Sequence, residues 1–174
     1  MKKWFSVTLL ASFVLMNVAA CAQTDKSQRP SPPAKVTQKI AGGATISIDY
    51  SQPALKGRVI GQSVEPMAGK VWRTGANEAT VFETDKDIMV EGKKLPAGKY
   101  GLFTIMNGND WTIIFNKTWN QWGAFNYKAA DDVLRVNVQS TSTSTDMERM
   151  TFAISQAGKV SLNWGTLQVD FNVK

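Results

Sequence analysis

Apolar and polar residues alternate along most of the chain from residue 34 to its end. In residues 45–50, for example, the apolar side chains Ile46, Ile48 and Tyr50 stand at every second position, between polar ones. This period of two is typical of a β-strand with one buried face. No long stretch repeats its apolar residues at the three- and four-residue spacing of a helix. The pattern therefore predicts an all-β domain.

Turn-forming residues divide this pattern into about ten short strands. Gly42 and Gly43 predict the turn of a first hairpin, and Asn107 and Gly108 predict another turn. We expect the strands to pack as a single-domain antiparallel β-sandwich, with a β-barrel-like closure as the alternative. The predicted strands are residues 36–40, 45–50, 80–84, 88–91, 100–105, 111–116, 133–139, 150–154, 160–164 and 167–173.

Two segments between the strands differ in composition from the rest of the domain. Residues 52–69 are rich in Pro and Gly and predict a long connection, which in a compact domain often carries function. Residues 140–145 are a run of Ser and Thr, and we expect them to form a solvated hairpin tip.

The amino terminus has the three parts of an export signal. Lys2 and Lys3 precede an apolar run over residues 4–20, which ends in small residues before Cys21. The run is 17 residues long (20 − 4 + 1), and a polar stretch follows it instead of a basic stop. We therefore predict a cleaved signal peptide over residues 1–20 in preference to a membrane span.

The sequence VAAC at residues 18–21 resembles the lipobox of bacterial lipoproteins. We expect Cys21 to be lipidated, residues 21–33 to form a flexible Pro-containing tether, and residues 34–174 to form the domain. The protein would then lie at the outer membrane or at its periplasmic face. The alternative is ordinary cleavage before Gln23, which would release a soluble periplasmic or secreted protein.

Composition narrows the possible chemistry. The chain of 174 residues has no His and one Cys, so Ser-His and Cys-His pairs and imidazole metal sites are excluded. We expect no cofactor and no metal. Removal of Lys2 and Lys3 leaves 18 basic residues (20 − 2) against 14 acidic ones, a net charge of +4. This mild excess has no block of like charges, and we expect no nucleic-acid partner.

Residues 72–80 are the first candidate site, since they combine a guanidinium, an amide, a carboxylate and hydroxyls within nine residues. Arg73 could bind a carboxylate or phosphate with two parallel hydrogen bonds, while Glu78 accepts or delivers a proton beside Asn77. Arg58, in the long connection, could assist. The alternative is an ion pair between Arg73 and Glu78 that locks the loop.

Residues 119–127 are the second candidate site, with four aromatic residues among three amides. Trp119, Trp122 and Tyr127 offer rings that a sugar or a peptide could stack on. The alternative is that these rings cap one open end of the β-sandwich.

Several strings of this sequence together resemble the domain of unknown function 2911 family. They are YSQPALKGR at 50–58, VWRTGANEAT at 71–80, GKKLPAGKY at 92–100, WTIIFN at 111–116 and QWG at 121–123. The likeness covers about residues 30–174, and the string at 71–80 is its most specific part. The resemblance implies an exported β-sandwich-like domain, and it implies neither an activity nor catalytic residues.

We expect a lipid-anchored envelope domain that binds a small molecule, a glycan or an envelope protein. A hydrolase is the second hypothesis, with Glu78 as general acid or base, helped by Arg73 or Arg58 and by a second carboxylate such as Asp49. A purely structural module is the third. A binding surface requires that the following six side chains converge on one concave site: Arg58, Arg73, Asn77, Glu78, Trp122 and Tyr127.

Overall fold

The computed structural model describes residues 25–174, and the predicted signal peptide and Cys21 lie outside them. The prediction of an all-β domain is confirmed. The strands are β1 (Pro33–Lys39), β2 (Thr45–Ser51), β3 (Val71–Trp72), β4 (Val81–Thr84), β5 (Ile88–Val90), β6 (Lys93–Leu95), β7 (Gly98–Asn107), β8 (Asp110–Asn116), β9 (Asp132–Ile154) and β10 (Lys159–Asn172).

Eight of these strands form one antiparallel sheet in the order β1-β2-β4-β7-β8-β9-β10, with β3 paired to β7. Strands β5 and β6 form a separate two-stranded sheet. The large sheet is curled into a half-barrel. The two layers that the sequence predicts are therefore facing parts of one curled sheet.

Aromatic contacts between strands that are not neighbours in the sheet hold the curl together. Tyr50 of β2 meets Phe152 of β9 edge-on at 5.0 Å, and its hydroxyl accepts a hydrogen bond from the amide of Phe152. Trp72 of β3 stacks on Trp164 of β10 at 6.0 Å. Because these rings bury large apolar surfaces between distant strands, they close the core that alternation in the sequence predicts.

The longest strand corrects one prediction. Residues 140–145 are not a hairpin tip but lie within β9, where Ser140 pairs with Val169 and Ser142 with Leu167. Threonine favours extended backbone because it is β-branched, so the polarity of this run reflects exposed strand faces instead of a turn. The predicted strands 133–139 and 150–154 accordingly merge into one, and β3 and β6 are strands that the sequence analysis did not predict.

Residues 25–33, called here the N-terminal segment, are held on the surface of the domain. They begin with a short 3-10 helix, Lys26–Gln28, and the carbonyl groups that follow accept hydrogen bonds from Asn77, Arg149 and Gln52. Because proline has no amide hydrogen, this Pro-rich stretch has few backbone donors of its own. Its carbonyl oxygens accept hydrogen bonds from donors of the domain instead. The structure therefore differs from the predicted flexible tether over these residues.

Residues 52–69 form the long connection that the sequence predicts, and they lead from β2 to β3. It is tied to β9, because the amide of Leu55 donates to the carbonyl of Glu148 and the amide of Met150 donates to that of Pro53. Residues of the connection line a pocket together with residues of the loop that follows β3.

Candidate functional site

The loop over residues 73–80 is fixed by buried hydroxyl groups. The hydroxyl of Thr80 donates to the carbonyl of Thr74 at 2.8 Å, and the hydroxyls of Thr74 and Thr104 lie 3.2 Å apart. The indole of Trp72 donates to the carbonyl of Gly75 at 3.0 Å. Each of these polar groups is paired inside the protein, so the loop keeps one conformation.

Two residues in this loop have left-handed backbone angles, which are uncommon for residues other than glycine. The φ angle is 53° at Thr74 and 59° at Asn77. Such strain persists only where the surroundings impose it, and it is concentrated at functional sites. Here it turns the chain so that Arg73 and Glu78 face different surroundings, although only five positions separate them.

Arg73 lines a pocket of about 330 Å³ between the loop and the long connection, called here the arginine pocket. Arg58 stands at the same pocket, and two stacked indoles contribute to its wall. Its walls include Ser31, Arg58, Glu65, Trp72, Arg73 and Trp164. A concave site with aromatic walls and a few polar groups is typical of sites for small molecules.

The two arginines of the pocket differ in how their donors are used. Arg58 donates to the carbonyl oxygens of Leu55 and Ala54 at 2.9 and 2.6 Å. By contrast, the Nε of Arg73 is buried and has no hydrogen-bond partner among residues 25–174. Burial lowers the pKa of Arg73, and the negative charge of Glu65 opposes this effect in part. Arg73 therefore brings a positive charge to the wall of the pocket, together with a buried donor that has no partner among residues 25–174.

Glu78 does not pair with Arg73, which corrects the predicted ion pair. Instead, both carboxylate oxygens of Glu78 accept hydrogen bonds from the Nη1 of Arg29, at 3.0 and 2.9 Å. The Nζ of Lys26 lies 3.0 Å from the same carboxylate. Burial raises the pKa of Glu78, but hydrogen bonds from its own backbone amide, from Arg29 and from Lys26 outweigh this and lower the pKa to about 2. Glu78 is therefore ionised near neutral pH.

Asp49 and Glu78 line the same shallow groove, of about 250 Å³, beside the N-terminal segment. Asp49 forms an ion pair with Lys35 at 2.9 Å. A glycosidase-type acid requires a raised pKa, whereas that of Glu78 is lowered. The lowered pKa therefore disfavours Glu78 as the general acid of a hydrolase.

The loop over residues 117–128, called here the aromatic loop, pairs directly with the loop 73–80. The amide of Ala79 donates to the carbonyl of Gln121, and the amide of Gly123 donates to that of Asn77. Trp122 lies beside Glu78 in an isolated β-bridge, and the guanidinium of Arg29 is 5.8 Å from the centre of its ring. The two sequence-predicted sites are therefore neighbours in the structure.

Tyr127 lies apart from the arginine pocket. Its ring packs on Phe103 at 5.1 Å in a small second apolar cluster, and its hydroxyl donates to Asp132 at 2.8 Å. Arg135 donates to the same hydroxyl at 2.8 Å. Trp119 packs under Lys99, whose Nζ is 5.6 Å from the ring centre. These two aromatic residues belong to the outer surface of the sheet.

The six predicted side chains thus do not converge on one site. Arg58 and Arg73 share the arginine pocket, while Asn77, Glu78 and Trp122 contact the N-terminal segment. The string at residues 71–80, which contributes residues to both groups, lies within a longer match to a family model described as a protein of unknown function (DUF2911), over residues 31–173. The chain belongs to the DUF2911 family. The family predicted by resemblance is confirmed.

Membership of the DUF2911 family gives a context for the fold and no activity. No curated protein and no solved structure matches the chain. In the part of the chain that the structure describes, no three Asp, Glu, Cys or His side chains lie close enough together to hold a metal ion. Within residues 25–174, no helix has both the length and the apolar character needed to cross a membrane.

Sequence analysis missed several residues at the two sites of this DUF2911 domain. Lys26 and Arg29 belong to a stretch whose composition predicted a tether, and Glu65 carries no motif. Trp164 joins Trp72 only because β10 curls back across the core. Alternation marked Trp164 as a strand residue, but no local signal placed it in a pocket with Arg73.

The low pKa of Glu78 predicts a pH-dependent contribution to stability. The folded pKa lies below the ordinary 4.5, so the contribution is fully present above pH 4.5 and is lost as the pH falls towards 2. We expect Glu78→Gln to lower the free energy of unfolding by about 1 kcal/mol at pH 7, discounted because the side chain is 39% exposed. Urea unfolding of both proteins between pH 7 and pH 3 measures this difference.

Glu83→Gln is the matched control, because the Glu83 side chain is also 39% exposed but has a single ion pair, at 3.4 Å to Lys99. We expect it to change the free energy of unfolding by less than about 0.5 kcal/mol. An effect of Glu78→Gln that does not shrink as the pH falls would contradict the assigned cause.

Proposed function

We propose that this protein is an exported, lipid-anchored domain of the cell envelope that binds a small anionic ligand in the arginine pocket. The observation that carries the proposal is the buried Nε of Arg73, which has no partner within residues 25–174. An unpaired buried donor on a charged group is costly, so its retention calls for an explanation, and a bound anion is the explanation that we propose.

The chemistry of the pocket favours a carboxylate or a phosphate. A guanidinium presents a planar fork of donors that matches both groups, and Arg58 adds a second positive charge at the same pocket. The indoles of Trp72 and Trp164 offer apolar walls to the rest of the ligand. A ligand with one acidic group on an apolar or ring-shaped body suits this arrangement.

The hydrolase hypothesis has less support from the geometry. Glu78 is held as an anion by Arg29 and Lys26, and it lies in the neighbouring groove instead of the arginine pocket. The only carboxylate among the described residues that line the arginine pocket is that of Glu65, which accepts a hydrogen bond from the amide of Met67. Binding is therefore the function that this site supports best.

The indole N–H groups of Trp72 and Trp164 provide direct probes of the pocket in an NMR titration. We expect inorganic phosphate or acetate, added to the nitrogen-15-labelled full chain, to shift both indole resonances to saturation. Tighter binding of phosphate than of acetate would indicate a phosphate ligand, and the reverse order would indicate a carboxylate ligand. Arg73→Met should weaken this binding at least about tenfold, because the unpaired donor and its charge are lost.

Stability distinguishes a ligand site from a structural arginine. Arg73→Met should leave the free energy of unfolding unchanged or raise it by about 1 kcal/mol, because a buried unpaired donor is removed. Lys39→Met, which removes an exposed charge from β1, should leave anion binding unchanged. Binding that survives in Arg73→Met, or no saturable shift with either anion, would refute the proposal.

A further inference from the structure

The aromatic loop exposes three large rings within seven residues of the chain, 119–125. Trp119 is 38% exposed, Trp122 is 53% exposed and Phe125 is 84% exposed. The other large hydrophobic side chains that are exposed in the described part of the chain, Val59 and Met89, are aliphatic and belong to other segments. Clustered exposed aromatics are typical of a surface that contacts a partner or a membrane.

The rings are held by a rigid loop. Gln121 is buried, and its amide nitrogen donates to the carbonyl of Thr118 at 2.7 Å while its amide oxygen accepts from the amide of Asn126 at 3.0 Å. The amide of Asn116 donates to the carbonyl of Lys128 at 3.0 Å. Because the loop is already ordered, a partner would not need to order it on binding.

Positive charges accompany the rings. Lys99 lies over the ring of Trp119 and Arg29 over that of Trp122, and these two cations also pair with the carboxylates of Glu83 and Glu78. Lys117 and Lys128 are exposed near the two ends of the aromatic loop. Tryptophan beside lysine and arginine is the composition that proteins use at the headgroup region of a bilayer, where cations also attract anionic lipids.

The position of the N-terminal segment indicates which partner is near. Arg29 contacts Trp122, and Asp25 is the first residue that the structure describes, so the chain leaves the domain close to the aromatic loop. Cys21 precedes Asp25 by four residues (25 − 21), which span at most about 14 Å when fully extended. A lipid on Cys21 would therefore keep this face of the domain close to the bilayer.

We infer that the aromatic loop docks on the phospholipid surface to which the chain is anchored. The inference rests on the proposed lipid anchor, which turns docking into an intramolecular event and makes a small patch of three rings sufficient. The amphipathic indoles would insert at the headgroup level, and the neighbouring cations would contact lipid phosphates. Docking would orient the arginine pocket relative to the membrane.

Fluorescence of the full chain in vesicles tests the inference. The chain, purified with its lipid, is reconstituted in phosphatidylcholine containing a minority of phosphatidylglycerol, with or without bromine on the acyl chains. Bromine quenches tryptophan only at short range. Trp72, Trp111 and Trp164 are buried in the core, so quenching reports Trp119 and Trp122. We expect brominated vesicles to remove about a third of the emission, in keeping with two interfacial tryptophans out of five.

Two variants and one measurement separate docking from anchoring. Phe125→Ser should reduce the quenching at least about twofold, because the most exposed ring is lost. Met89→Ser, a control at an exposed aliphatic residue of β5, should not change it. The intact mass of the same preparation reports the lipid on Cys21.

Each contrary result overturns the inference. Unquenched emission from a lipidated chain refutes docking and leaves the anchor in place, and the aromatic loop would then serve a protein or a glycan. Equal quenching in the wild type and in Phe125→Ser also refutes docking by this loop. A mature chain that starts at Gln23 without lipid refutes both the anchor and the docking.

Discussion

Replacing Trp164 by alanine is expected to lower the free energy of unfolding by about 3 to 5 kcal/mol. The side chain is 1% exposed, stacks on Trp72, and donates its indole N–H to the carbonyl of Glu148 at 3.3 Å. Truncation removes the transfer energy of a large ring and leaves a cavity between β3 and β10. Urea unfolding followed by circular dichroism measures the change.

The same substitution should also impair the arginine pocket, because Trp164 forms part of its wall. Trp122→Ala is the matched control, since it makes the same chemical change on a ring that is 53% exposed. We expect the control to cost less than about 1 kcal/mol, chiefly the contact with Arg29. Similar costs for the two variants would contradict the placement of Trp164 in the core.

Replacing Gly158 by alanine is expected to lower the free energy of unfolding by about 3 kcal/mol or more. Gly158 lies in the turn between β9 and β10 with a φ angle of 88°, which disfavours any residue with a Cβ atom. A Cβ at this position would also overlap the backbone carbonyl oxygen of Val173. The backbone of the last strand would have to move, and the amide of Val173 would lose its hydrogen bond to the Gly158 carbonyl.

Gly108→Ala separates the cost of the left-handed φ angle from the cost of the overlap between a Cβ and the backbone. Gly108 also has a left-handed φ angle, of 63°, but a Cβ there would meet nothing within 4 Å. We expect this control to lower the free energy of unfolding by about 1 kcal/mol, because only the backbone conformation is disfavoured. Thermal and urea unfolding of both variants provide the comparison. A cost for Gly158→Ala no greater than that for Gly108→Ala would show that the turn can relax away from Val173.

The all-β character could be predicted from the sequence, because alternation is set by the two faces of each strand. The lengths of the last two strands could not. Residues 160–164 and 167–173 were predicted as two strands, yet Gly165 between them lies inside β10 at a shift of register, with a left-handed φ angle of 58°. A glycine that makes a bulge and a glycine that makes a turn look alike in a single sequence.

The candidate site was predicted in part. Composition directed attention to residues 72–80 and 119–127, and the structure places the two loops side by side. The partners of individual charges were not predictable. Arg73 and Glu78 are close in sequence, but two left-handed residues between them turn the side chains towards different surroundings. Glu78 then meets Arg29, 49 residues away, for which no local pattern gives a signal.

By itself, the sequence excluded imidazole chemistry and determined the all-β kind of fold. The lack of His and the position of its one Cys are properties of composition, and strand alternation is a local property of a few neighbouring residues. Only the tertiary structure decided that the Nε of Arg73 has no partner among residues 25–174 and that the carboxylate of Glu78 pairs with Arg29. Those outcomes depend on contacts between residues far apart in the chain, and the curl of the sheet and the path of the N-terminal segment create these contacts.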